Sequence, residues 1–213
     1  MIIPAFSARG TIGACVDAVL AFPEAPFEII VVDDHSRDDT ADLARAKGCT
    51  VLSTEKRSGP ARARNLGAAH ARGDILVFLD ADVRPHPDAI RRLAAHLEDT
   101  QVGVAIGAYD DTPADPGFFS RYRNLLHCHT HRLGRANAST FWAGCGAIRR
   151  DVFHAFGGFD ERYERSSIED IEFGMRLTSA GVRILLDPQV PPAQLPGLVG
   201  AKAGVGHEEE VVA

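Results

Sequence analysis

The sequence predicts an α/β fold, a mostly parallel sheet flanked by helices. Three observations lead there. Two short runs, Glu28-Ile29-Ile30-Val31-Val32 and Ile75-Leu76-Val77-Phe78-Leu79, are almost wholly apolar and of strand length, so they read as strands covered on both faces. Segments of helical spacing alternate with such runs, which is the signature of βαβ units. Both runs end in acidic clusters, Asp33-Asp34 and Asp80-Ala81-Asp82, where a parallel strand leaves the sheet and open α/β sheets place their ligands.

The elements follow in order. Ile2-Ile3-Pro4 reads as the end of a first strand, and a few upstream residues are expected to be missing. From Thr11 to Phe22 apolar residues recur at helical spacing, with Thr11 as a cap and Pro23 as a stop. After the strand at 28–32, Asp39-Thr40 opens a helix that ends at Gly48, and Thr50-Val51-Leu52 is a third strand. Gly59-Pro60 starts a helix over 61–71, closed by Gly73 and leading into the strand at 75–79. Pro87 to Glu98 is amphipathic, and Val102 to Ile106 is a further strand.

The second half changes character. Phe118 to Leu133 reads as a helix rich in Arg and His, and Phe141 to Ile148 as an apolar, glycine-interrupted strand or loop. A short helix over 151–156 ends at Gly157-Gly158; a longer one over 168–180 stops at Gly181, before a last strand at 182–186. From Pro188 the chain is rich in Pro, Gly and Ala, with an acidic end, and is expected to be poorly ordered.

Composition narrows the function. The 213 residues, 45% hydrophobic and 24% charged, suffice for one large domain with its own core. A net charge of −6 argues against a nucleic-acid partner, which needs a basic face. Cys15, Cys49, Cys128 and Cys145 form no C-x-x-C pair, so reduced thiols in a cytoplasmic compartment are the expectation. No run approaches the length of a membrane span; a peripheral contact with the inner face of a membrane stays open.

The acidic clusters carry the chemistry. An Asp-x-Asp after a strand sets two hard oxygen ligands on one side of a tight turn, as suits Mg²⁺ or Mn²⁺ held against a diphosphate. The alternative is a pair of solvated turn aspartates. Glu169-Asp170, at the start of the helix over 168–180, offers either a carboxylate base or a first-turn charge matched to the helix dipole.

Five segments, in order, resemble the family 2 glycosyltransferases, enzymes of the GT-A fold. Pro4-Ala5-Phe6-Ser7 is similar to the family's Pro-Ala-Tyr-Asn, and Val31-Val32-Asp33-Asp34-His35-Ser36 to its Val-Val-Asp-Asp-Gly-Ser. Gly59-Pro60-Ala61-Arg62-Ala63-Arg64-Asn65-Leu66-Gly67 resembles Gly-x-x-x-Ala-Arg-Asn-x-Gly. Phe78-Leu79-Asp80-Ala81-Asp82 resembles the Asp-x-Asp strand, and Gly157-Gly158-Phe159-Asp160-Glu161 with Glu169-Asp170 the acceptor-side block.

The resemblance implies a GT-A domain over 1–187, with a nucleotide-sugar half at 1–108 and an acceptor half at 109–187, before a tail at 188–213. It implies inverting, metal-dependent transfer from a nucleoside diphosphate sugar, expected to be a UDP-sugar, to a saccharide or lipid-linked hydroxyl acceptor in polysaccharide, glycolipid or glycoprotein synthesis. Asp82 would ligate Mn²⁺ or Mg²⁺ directly, with Asp80 nearer the ribose and reaching the metal through water. Pro4, Ala5 and Phe6 would line the base pocket, Asp33 or Asp34 would bond base or ribose, and Arg64 would sit beside the nucleotide or instead partner an aspartate of the sheet edge. Asp170 would be the base, and Trp142, Gly144 and Glu169 would form the acceptor side.

The sequence also departs from the pattern. Ser7 replaces Asn, and no histidine follows the last strand until His207, where the family commonly has Val-x-His. That gap keeps a second reading in view, a GT-A module that binds nucleotide sugar without transferring it. His127, His129 and His131 crowd one helix, but only residues three or four apart share a face, so a solvated helix is expected there rather than zinc.

Overall fold

Each βαβ unit begins where an apolar run too short for a helix gives way to a longer helical one; the expected Thr11 cap does not form, because the Thr11 hydroxyl donates back to Ala8 O instead. In the computed structural model, which describes residues 1–23, 26–107, 137–138, 140–164, 168–190 and 193–194, the first half runs β1 (Ile2–Ala5), α1 (Ile12–Leu20), β2 (Ile30–Asp33), α2 (Thr40–Ala46), β3 (Thr50–Ser53), α3 (Pro60–His70), β4 (Ile75–Leu79). Then come β5 (Val83–Arg84), α4 (Ala89–His96), β6 (Val102–Gly107), β7 (Asn137–Ala138), β8 (Cys145–Arg149), α5 (Arg150–Ala155), α6 (Glu169–Ser179), β9 (Arg183–Asp187) and β10 (Ala193–Gln194).

Eight strands form one sheet in the order β3-β2-β1-β4-β8-β6-β9-β7, and among them only β7 and β8 run against the rest. The chain lays β2 and β3 on one side of β1 and β4 on the other, so connections diverge at the β1/β4 junction. Such a switch point leaves a crevice at the carboxyl ends of the strands.

Alternation along the strands divides the core between the two faces. Ile3, Val31, Val77 and Leu79 meet Ile12, Val16 and Val19 of α1 and Leu93 of α4; Ile2, Val32, Leu76 and Phe78 meet Ala61 and Ala68 of α3 and Phe173 and Leu177 of α6. Burial of both faces explains why these strands carry no polar alternation. Small residues set α3 close to the sheet: a Cβ on Gly67 would lie 2.5 Å from Ile2 Cγ2. On the same face, Gly174 lets α6 lie against the backbone of Thr140 and Phe141, where a Cβ would come within 2.2 Å of Phe141 N.

Two sequence expectations shift. The tail boundary at 187 falls short, because Val190 is fully buried and β10 pairs antiparallel with β5. Within 141–148, expected as strand or loop, the strand begins at Cys145, with irregular chain at Phe141 and Trp142 and a turn at Ala143-Gly144 before it. The helix expected over 118–133, with its histidines, and the tail from 195 lie outside the described residues. No described helix is long and apolar enough to cross a membrane.

Candidate active site

The site builds from the carboxyl ends of β1, β2 and β4 and the first turn of α6. β1 runs out at Ala5, and Phe6 emerges 41% exposed, with the Arg57 guanidinium stacked 3.9 Å from its ring centroid. Pro4 and Ala5 lie within the strand, paired with Val32 and Asp33. The turn beyond is forced: Ser7 has φ 49° and His35, after β2, φ 60°. Left-handed backbone is uncommon for residues other than glycine and asparagine, and it concentrates at functional sites.

The two aspartates after β2 part company. Asp34 is enclosed, its Oδ1 accepting from Thr54 Oγ1 and Ser58 N, each at 2.8 Å, and its Oδ2 from Gly59 N at 2.8 Å. It therefore clamps the β3–α3 loop. Asp33 is also buried; its Oδ2 accepts from Ser36 N at 3.3 Å, and its Oδ1 has no hydrogen-bond partner among the described residues. A buried acceptor without a donor is costly.

Asp80 follows β4, its amide donating to Gly144 O at 3.1 Å, with Asp82 two residues on. Its carboxylate Oδ1 accepts from Arg64 Nη2 at 2.9 Å, and Arg64 Nη1 donates to Glu169 Oε1, also at 2.9 Å. Arg64 and Glu169 are 4% and 3% exposed, and the guanidinium lies 5.4 Å from the Phe159 ring centroid. Burial works against the Arg64 charge, but Asp80 and Glu169 outweigh it and hold the group protonated. Arg64 is thus a bridge between two carboxylates, and Glu169, expected on the acceptor side, points inward to it.

Asp170 comes next on α6, accepting from Ile171 N at 2.8 Å. Burial first, then the charge of Glu169, push its carboxyl up to about 6, against the opposing pull of Arg64 and the Ile171 amide; Asp80 adds to the rise. A carboxylate tuned toward neutrality is what a general base requires. The Trp142 ring packs on Gly144, where a Cβ would lie 2.6 Å from its Cε2.

The sequence reading missed Arg57, because nothing in the spacing of the β3–α3 loop marks it. It also missed the inward turn of Glu169, for which there was a signal: neighbours on a helix point about 100° apart, so Glu169 and Asp170 cannot share a face. The described cysteines are not rival nucleophiles. Cys15, Cys49 and Cys145 are free and buried, and burial pushes the Cys145 thiol up to about 12.

Among the described residues no three His, Cys, Asp or Glu side chains cluster as a ready-made metal cage. Asp80 and Asp82 are the residues that could supply hard oxygen ligands to a cation taking its other ligands from phosphate and water, as Mg²⁺ commonly does.

Comparison with known proteins bears on the family and the fold. The family model for glycosyl transferase family 2 matches residues 1–157. Glycosyltransferase AglE of Haloferax volcanii is 31% identical over 194 residues, covering 85% of this chain and 61% of that protein. The mannosyltransferase PcManGT of Pyrobaculum calidifontis, solved with GDP-Man and Mn²⁺, superposes with a TM-score of 0.73 at 24% identity, over 93% of this chain and 57% of that one. Glucosyl-3-phosphoglycerate synthase of Mycobacterium tuberculosis, solved with Mn²⁺, UDP and glucosyl-3-phosphoglycerate, does so at 0.66 and 21% identity, over 92% and 71%. The chain thus spans about three fifths of the length of AglE and PcManGT. The sheet, its two reversed strands and its helices form the GT-A fold, and the chain belongs to glycosyl transferase family 2.

Proposed function

We propose that the chain transfers a sugar from a nucleoside diphosphate sugar to a hydroxyl acceptor, with a divalent cation and inversion at the anomeric carbon. The observation that carries this reading is the gathering of Asp80, Arg64, Glu169 and Asp170 at the switch-point end of the sheet, with one carboxylate, Asp170, raised to about 6. It is supported by relatives solved with Mn²⁺ and a nucleotide or nucleotide sugar.

Phe6 offers a face for the base, and Asp33, at the end of β2, is the candidate for a bond to base or ribose. A UDP-sugar is the preferred donor. Asp82 and Asp80 would hold Mn²⁺ or Mg²⁺, which offsets the charge developing on the leaving diphosphate. Asp170 takes the proton of the acceptor hydroxyl as its oxygen attacks the anomeric carbon. A single base opposite the leaving group makes one displacement, and so inversion.

The test is a thermal-shift panel of UDP- and GDP-sugars with and without Mn²⁺, since ligands that bind the folded state raise its melting temperature. UDP binding should tighten with Mn²⁺, and Asp82→Ala should abolish that gain; equal affinity with and without metal would remove the Asp-x-Asp assignment. Binding with no UDP release in the presence of any acceptor would favour the module that binds without transfer, which the missing late histidine motivates.

A further inference from the structure

We infer that Arg64 and Glu169 are a positioning pair that fixes the base-bearing first turn of α6 against the donor-side carboxylate Asp80, and that neither contacts donor or acceptor. The inference rests on the glycosyl-transfer reading of the site.

Four observations carry it. The pair is buried, with side chains 5% and 4% exposed, so neither presents a face to a ligand in the cleft. Two of the three guanidinium nitrogens are committed, Nη1 to Glu169 and Nη2 to Asp80, each at 2.9 Å, joining residues 105 and 16 positions away from Arg64 in the chain. The first turn of α6 lacks the usual local anchor, because Ile168 stands at the N-cap and supplies no side-chain hydrogen bond. Phe159 lies beneath the guanidinium, 5.4 Å from its centre, and packs on Phe173 of α6 at 5.0 Å between ring centroids, so the bridge sits on the same aromatic layer as the helix it holds.

Helix geometry turns this anchor into function. With Glu169 drawn inward, the next side chain is rotated by about 100°, so the direction of Asp170 is set by what Glu169 grips. The carboxylate at 169 also faces the base electrostatically, together with Asp80 and the opposing Arg64. Arg suits the bridge and Lys does not, because a planar fork reaches two carboxylates in fixed directions while an ammonium is a point charge.

Three variants test the pair: Glu169→Gln, Glu169→Asp and Arg64→Lys. The readouts are melting temperature, metal-free UDP affinity, and UDP release from the nucleotide sugar selected in the thermal-shift panel. Glu169→Gln should lower kcat at least tenfold with donor and acceptor KM within about twofold, and should move the acidic limb of its pH profile to lower pH, since a negative neighbour of Asp170 is gone. Glu169→Asp keeps the charge but shortens the reach, so kcat should fall while the limb stays. Arg64→Lys should lower kcat while metal-free UDP affinity stays within threefold. A raised acceptor KM with unchanged kcat in Glu169→Gln would make Glu169 an acceptor contact and overturn the inference, as would unchanged kcat in Glu169→Asp or a tenfold loss of metal-free UDP affinity in Arg64→Lys. If the wild type releases no UDP, the glycosyl-transfer reading fails by itself. The pair is then judged by carboxyl NMR titration of Asp170: a midpoint lower in Glu169→Gln than in wild type supports it, and an unchanged midpoint overturns it.

Discussion

Asp170→Asn should make the protein inactive and more stable at once. In the folded chain the Asp170 carboxyl is raised from 3.8 to about 6, chiefly by burial and then by Glu169. Two units correspond to about 3 kcal/mol of penalty on the ionised form, a ceiling reached only above the folded value. Asparagine removes the charge and keeps an oxygen to accept from Ile171 N. It also sets an amide beside Arg64, which offsets part of the gain, so about 1–2 kcal/mol is expected at pH 7.5, or roughly 3–6 °C in Tm for a chain of this length. The sign follows from linkage. A carboxyl whose folded pKa is raised costs stability wherever the unfolded chain ionises more readily, so the penalty is full only above the folded value of about 6 and fades as pH falls through the unfolded value of 3.8, below which the group is neutral in both states. The difference between variant and wild type should therefore be largest near pH 7.5, shrink through pH 4 and vanish only below the unfolded value of 3.8, read by thermal or urea unfolding without metal. An Asp170→Asn protein that is less stable at pH 7.5, or whose difference ignores pH, would refute the account of Asp170 as a strained base.

Other consequences concern the loops that frame the site. Asp34→Asn sets an amide donor against Gly59 N–H, which now donates to Oδ2 at 2.8 Å, so urea unfolding should show a loss of about 2–3 kcal/mol. Ser7→Asn replaces a residue strained at φ 49° with one that tolerates the left-handed region, and should raise stability by about 0.5–1 kcal/mol with an unchanged denaturant m-value.

How far the sequence reaches can be judged element by element. β2, β4 and β6 were legible because an apolar run of four to six residues between turn signals admits little else at that length. β5, β7 and β10 were not, since two residues carry no periodicity and their pairing is decided by what lies beside them. Nor could the reversed direction of β8 be read, because an apolar stretch looks alike in either orientation. In the site, Asp80, Asp82 and Asp170 stood out through motif and position. The pairing of Arg64 with Glu169 did not, because it joins residues 105 apart whose meeting depends on α3 and α6 lying on the same face of the sheet. The loop bonds of Asp34 were hidden for a related reason: a strand-end aspartate can face a ligand or a loop, and its bonds to Thr54, Ser58 and Gly59 depend on the tertiary path of that loop.

That dependence on packing explains why the site is built over phenylalanines. Phe78, Phe141, Phe153, Phe159 and Phe173 come from five separate stretches of chain and meet with ring centroids 5.0–5.9 Å apart. Several stand close in sequence to a residue of the cleft: Phe78 two before Asp80, Phe141 beside Trp142, Phe173 three after Asp170. Gathering Asp80, Glu169 and Asp170 is unfavourable by mutual repulsion and burial, and one Arg64 cannot neutralise three carboxylates. Close-packed aromatic rings, each contributing about 1.5–3 kcal/mol on burial, can offset that cost while leaving little room for the backbone to shift. The rigidity matters as much as the energy, since catalytic groups displaced by about 1 Å can lose two orders of magnitude in rate. On this view a truncation such as Phe159→Ala acts on the site as well as on stability, because it removes the surface on which Arg64 rests and lets the base move with it.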